Sequence, residues 1–147
     1  MSKWSTQTLS EFDRWYSKEL TSYEQAVFTA AVENILEVYG MEICSGEWGK
    51  ALGQGLYEFR IRQSLHAIMT FGHAEPSIAK PGEDREVLLR AFVTFHGDKA
   101  TLLIHGLNKK NDSSKKRQDK EIAKARGVLK TWKAERLATA RAAKKGR

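Results

Sequence analysis

Gly55-Leu56-Tyr57-Glu58-Phe59-Arg60-Ile61-Arg62 alternates apolar and charged side chains from Tyr57 onward. In an extended chain side chains two apart share a face, so Tyr57, Phe59 and Ile61 fall on one side and Glu58, Arg60 and Arg62 on the other. The apolar side predicts burial against a core. The charged side sets a carboxylate and two guanidiniums in a row, each about 7 Å from the next, and such a row can receive a polyanion. An ordinary solvated sheet face, with Glu58 paired to Arg60 or to a neighbouring strand, carries the same pattern. The stretch therefore predicts a strand and leaves both readings of its charged face open.

Upstream of it, Gly46, Gly49, Gly53 and Gly55 predict a loop over residues 44–55 that leads into the strand. Trp48 in that loop either stacks on a base or pins the loop to the core. Phe12, Trp15, Tyr16 and Leu20 are spaced as the apolar side of a short helix. Thr21 with Glu24, or Ser22 with Gln25, forms a capping box for a second helix. Its apolar residues Val27, Phe28, Ala31, Ile35, Leu36 and Tyr39 recur at three and four, and Gly40 stops it. The first ten residues, with Trp4 and Thr8, read as a short strand or as a loose arm.

Downstream, the run Leu65 to Phe71 predicts a second strand, and residues 72–84, with Pro76, Pro81 and Gly82, an exposed excursion. Val87 to His96 alternates as a strand, His96 to Lys99 turns back, and Ala100 to Leu107 is apolar at nearly every position. That is the composition of a central strand covered on both faces. Pairing of neighbours brings Arg90 alongside Arg60 and Arg62. Asn108-Lys109-Lys110 ends the sheet, and 111–114 supplies caps for a helix from about Ser114 to beyond Trp132. Its buried stripe is Ile122, Ala125, Leu129 and Trp132. Lys115, Lys116, Arg117, Lys120 and Lys124 lie mostly off the stripe and are candidates for contact with RNA. The basic tail from about residue 134 is expected to fray after Leu137.

The chain's 147 residues, 41% of them hydrophobic, suit one domain over 1–147, and the apolar runs are too short for a membrane span. The N-terminus lacks the pattern of a secretory signal. The single cysteine, Cys44, reads as a packing residue, and the scattered histidines predict no metal site and no cofactor. A cytoplasmic location is the expectation. The net charge of +7 is unevenly placed: residues 1–105 hold 10 Lys and Arg against 14 Asp and Glu, and residues 106–147 hold 15 against 4. A basic third on a mildly acidic body predicts a polyanionic partner.

Leu52-x-x-Gly55-Leu56-Tyr57-Glu58-Phe59-Arg60, a strand carrying Arg90, Leu102-Leu103-Ile104-His105-Gly106-Leu107-Asn108-Lys109-Lys110 and Glu121-Ile122-x-x-Ala125-Arg126 follow one another in this order. Over roughly residues 12–133 the chain resembles the HigB-like branch of the RelE/ParE toxin superfamily. The resemblance implies an α+β fold in which two N-terminal helices pack on a small, mostly antiparallel sheet closed by a basic C-terminal helix. It also implies a toxin of a type II toxin–antitoxin system, alone as a monomer or bound to a cognate antitoxin, often a helix-turn-helix protein. Many members cut messenger RNA on the ribosome, and ParE relatives inhibit DNA gyrase. The chain departs from the pattern in its long excursion before Arg90, in Ser113-Ser114 where the last helix opens on Thr-Pro in the family, and in having no tyrosine after Tyr57. The missing tyrosine leaves room for a protein that binds nucleic acid or a partner without catalysis.

Metal-free RNA cleavage needs a base for the ribose 2′-hydroxyl, cations for the charge gathering on phosphate, and an acid for the leaving oxygen. Arg60, Arg62, Arg90, Lys109 and Lys110 are the candidate cations. Arginine stays protonated and cannot be the base, so the base is sought among Glu58, His96, His105 and a lysine whose pKa is lowered by positive neighbours. Glu58 shares a side with Arg60 and is read as orienting the guanidiniums; Lys109 or Lys110 is the preferred proton carrier. His66 and His73 have no assigned role.

Overall fold

In the computed structural model, which describes residues 3–72 and 79–145, the chain runs β1 (Ser5–Thr8), α1 (Ser10–Glu19), α2 (Ser22–Ala31), α3 (Glu37–Tyr39), β2 (Gly49–Gly53), β3 (Leu56–Ile61), α4 (Leu65–Met69), β4 (Leu89–His96), β5 (Ala100–Asn108) and α5 (Lys115–Lys145). Thr21 and Glu24 form the capping box of α2: Thr21 Oγ1 accepts the Glu24 N–H, and the Glu24 carboxylate accepts the Thr21 N–H at 2.9 Å. A π-helical turn, Val32–Leu36, carries α2 into α3, and Gly40 ends the run at φ +53. No L side chain fits there, because a Cβ on Gly40 would meet the Trp4 ring at 2.0 Å.

Five strands form one mixed sheet in the order β1-β5-β4-β3-β2. β2–β3, β3–β4 and β4–β5 pair antiparallel, and β1 adds to the edge parallel to β5, from Ser5 opposite Ala100 to Thr8 opposite Leu103. The N-terminal segment is thus a strand, anchored by the Trp4 N–H on the Glu37 carbonyl and the Trp4 ring on Phe95. On one face, Phe12, Trp15, Val27, Phe28 and Ile35 pack with Phe59, Ile61, Ala91 and Val93. On the other, Ala125 and Leu129 of α5 cover Leu56, Phe92, Leu102, Ile104 and Leu107. Helices on both faces are why β4 and β5 are buried on consecutive residues.

Three expectations are corrected. Residues 44–55 do not form a loop throughout: Gly40–Ser45 is a 3₁₀ turn and 49–53 is β2. Only Gly53, Gln54 and Gly55 turn the hairpin, all at positive φ, so the glycines mark a tight bend. Leu65 to Phe71 is no strand but α4 followed by a turn, capped by Ser64, whose Oγ accepts the Ala67 N–H at 3.2 Å. A short apolar run of this length suits either state, and the cap decides it. The C-terminal tail continues as helix to Lys145. Of the excursion expected at 72–84, residues 73–78, with His73 and Pro76, lie outside the described residues. No helix among the described residues is long and apolar enough to cross a membrane.

Candidate functional site

The charged side of β3 meets α5, so the row of Glu58, Arg60 and Arg62 is graded from buried to open. Glu58 is fully buried, the Arg60 side chain is 23% exposed, and Arg62 is exposed. The register sets Arg60 directly opposite Arg90 of β4. The Glu58 carboxylate accepts Arg60 Nε at 2.8 Å and lies 3.3 Å from Arg90 Nε, and Gln118 of α5 donates to its second oxygen at 3.3 Å. The Arg90 contact is an ion pair without hydrogen-bond alignment, and Arg90 Nε and Nη1 are buried with no hydrogen bond. Burial, with the charges of Arg60 and Arg62, lowers the Arg90 pKa against the opposing pull of Glu58.

Lys109 follows β5 at the same end of the sheet, its N–H bonded to the Leu88 carbonyl at 2.8 Å. Burial pushes its ammonium below the usual value; Arg90, Arg60 and Arg62 push the same way, and Glu58 opposes them. Desolvation and crowded cations thus move Lys109 in the direction that a proton-carrying lysine needs. Lys110 turns elsewhere and donates Nζ to the Glu86 carbonyl at 2.5 Å. The loop bearing both lysines is held from α2: Asn108 Nδ2 donates to Glu24 at 2.7 Å, and Asn108 Oδ1 accepts the Lys110 N–H at 3.1 Å. Sequence reasoning missed this tie because Glu24 was already assigned to the cap. Its second oxygen serves Asn108.

Of the helix cations, Lys115, Lys116, Lys120 and Lys124 are exposed. Arg117 is committed, donating Nε to Glu121 at 3.0 Å and lying 3.8 Å from Glu19 of α1. Glu121 also pairs with Nε2 of His105, a buried residue stacked on Phe92. Burial alone would raise the Glu121 carboxyl; the bond to and charge of His105, with Arg117, outweigh it and hold Glu121 below the usual carboxylate range. His105 is thereby engaged between β5 and α5. His96 Nδ1 lies 2.9 Å from Arg136 Nη1, and burial and that guanidinium lower its pKa. A neutral ring accepting a guanidinium hydrogen is the consistent state. Trp48 is buried against Phe71 and pins its segment to the core. Cys44 packs against the same core, and burial pushes its thiol up.

The structure thus brings Glu58, Arg60, Arg90 and Lys109 together, with Arg62 close enough to act on Arg90 and Lys109 electrostatically, and leaves Lys110 and the α5 lysines outside that group. Chemically the group offers an anion site with a buried carboxylate behind it and the amine of Lys109 beside it. No family model, curated protein or solved structure matches the chain.

Proposed function

We propose that this protein is a RelE-like toxin of a type II toxin–antitoxin pair that inhibits translation by cutting messenger RNA on the ribosome. The observation that carries the reading is the pair Arg60 and Arg90 held on the buried Glu58 carboxylate, with Lys109 and the exposed Arg62 near enough to feel their charge. An α+β fold with a five-stranded mixed sheet and a basic C-terminal helix is compatible with the reading. In the proposed step the amine of Lys109 takes the proton of a ribose 2′-hydroxyl and the 2′-oxygen attacks phosphorus. The bond to the 5′-oxygen breaks, and that oxygen leaves as an alcohol with a proton from solvent at the open rim, leaving a 2′,3′-cyclic phosphate. Arg60 and Arg62 hold the charge gathering on the phosphate, and Glu58 and Arg90 position Arg60. Lys115, Lys116, Lys120 and Lys124 hold ribosomal or message phosphates. The proposed partners are the ribosome, messenger RNA and a cognate helix-turn-helix antitoxin, in the cytoplasm.

One observation favours a second reading. Arg60 and Arg90 are both drawn onto Glu58, as in a structural ion cluster, which suits a protein that binds its target, nucleic acid or gyrase, without cutting. Induced expression in a bacterial host with mapping of messenger-RNA 5′ ends separates the two. New ends inside translated frames are expected for the wild type. The Arg62→Ala, Lys109→Ala variant should cut about a hundredfold less or weaker still, since one preorganised charge is worth about 3 kcal/mol in the transition state. Growth arrest with intact messages would replace cleavage by binding, and arrest with DNA damage would point to gyrase.

A further inference from the structure

β1 covers the edge of β5 only as far as Leu103, so the rest of β5, with His105 and Gly106, borders the space between α1 and α5. A cleft of about 290 Å³ opens there. Trp15 of α1 lies so close over β5 that a Cβ on Gly106 would meet its ring at 2.3 Å, and this approach sets the spacing of the walls. Arg14 and Lys18 enter the cleft from α1, and Arg117, Lys120 and Lys124 from α5. Three carboxylates share it: Glu19 and Glu121 are taken up by Arg117, and Glu11 accepts the Ser10 hydroxyl at 3.3 Å. Among the described residues, the side chains of Arg14, Lys18, Lys120 and Lys124 have neither an ion pair nor a hydrogen bond.

Four uncommitted cations on facing walls repel one another, and an anion between them removes that cost. Beneath them, Trp15 Nε1 and His105 Nδ1 are buried polar atoms without a hydrogen bond, in side chains that line the same cleft. The cleft lies beside the arginine cluster on the same side of the sheet. Glu58, Phe92 and His105 stand in register across β3, β4 and β5, which places Glu58 and His105 about 10 Å apart, two strand spacings. Gln118, on Glu58, and Glu121, on His105, are successive turns of α5. A chain of phosphates a few units long reaches from one to the other, which a single small phosphate does not.

We infer that the cleft between α1 and α5 binds the phosphodiester backbone of single-stranded RNA, with Arg14 and Lys18 holding phosphates beside Lys120 and Lys124. This inference rests on the proposed action on RNA. The test is fluorescence anisotropy of a labelled uridine oligonucleotide of about ten residues with the full chain, over a salt series. The Arg14→Glu, Lys18→Glu variant is compared with Lys50→Glu, Lys80→Glu, which reverses two exposed charges elsewhere, and thermal midpoints confirm that each is folded. The α1 variant should bind at least about tenfold more weakly than the control, with a log-log salt slope lower by about 1.4, near 0.7 for each of two phosphates no longer neutralised. Equal binding by the two variants would overturn the inference. If, with those two equal, Arg62→Ala, Lys109→Ala weakens binding in the same assay, the RNA reading stands and the cleft alone falls. Absence of salt-dependent binding by the wild type would overturn both. Displacement of the oligonucleotide by inorganic phosphate at constant ionic strength would assign the cleft to a free anion and overturn the RNA strand as its occupant.

Discussion

Arg60 and Arg90 stand directly opposite each other on neighbouring strands, and like charges so placed destabilise a sheet unless something lies between them. The fully buried Glu58 carboxylate does so, within 2.8 Å of one guanidinium and 3.3 Å of the other. Glu58→Gln keeps the shape and removes the charge, leaving Arg90 buried without its counter-ion. It should cost about 3 kcal/mol or more, as breaking a buried pair does, read as a lower urea midpoint at unchanged slope; a loss below about 0.5 kcal/mol would mean that the carboxylate's charge does not hold the cluster. Glu121 makes a pH prediction. Its folded pKa is depressed, so the stability it contributes is whole above the ordinary carboxylate pKa of about 4.3 and is lost as pH falls through the folded value. Glu121→Gln should flatten the acid limb of stability in urea titrations below about pH 5. An acid limb as steep as that of the wild type would assign it to other carboxylates.

At the scale of elements, α5 is two things in one helix. From Gln118 to Trp132 it covers the sheet, with Glu121, Ala125 and Leu129 buried; beyond Arg136 every described residue is exposed. A free helix as short as that exposed end is marginal in water, but here the packed half supplies the nucleus and the Ala-rich remainder extends it. Removing residues 137–147 takes away four positive charges and no negative ones, and every described residue of that segment is exposed. The change in unfolding free energy should stay within about 0.5 kcal/mol, with helical circular dichroism reduced; a larger loss would reveal an interaction that holds the end of the helix. The tail's helicity is a propagation effect, which no window over the tail alone displays. The capping box at Thr21 and Glu24 was legible residue by residue, because a cap is local chemistry. α4 was not, since a run of about five apolar residues satisfies either period.

For the whole molecule, the charge asymmetry becomes geometry. The basic third is largely α5, laid across the face of the sheet that carries the Glu58 to Arg62 row. The acidic body contributes carboxylates as counter-ions, Glu58 to the arginines and Glu19 to Arg117, and so decides which cations remain free. The candidate site was therefore half legible. Arg60 and Arg90 were singled out from strand alternation and order and Lys109 from its place at the end of the sheet, and they come together; Lys110, beside Lys109, and Arg117, off the buried stripe of the last helix, are drawn to the Glu86 carbonyl and to Glu121. Arg14 and Lys18 carried no signal, being ordinary polar positions on a short helix until α5 folds opposite them.

The sequence alone determined the strands β3, β4 and β5, the capped helix after Thr21 and the basic closing helix. Each rests on interactions within a few residues, where periodicity and caps act directly. The tertiary structure decided burial and pairing: that Glu58 lies beneath α5, that β1 adds parallel to β5 and stops at Leu103, and that two helices face each other across a cleft. Those outcomes depend on which surfaces meet across long stretches of chain, and charge and apolarity at one position do not specify the partner that satisfies them.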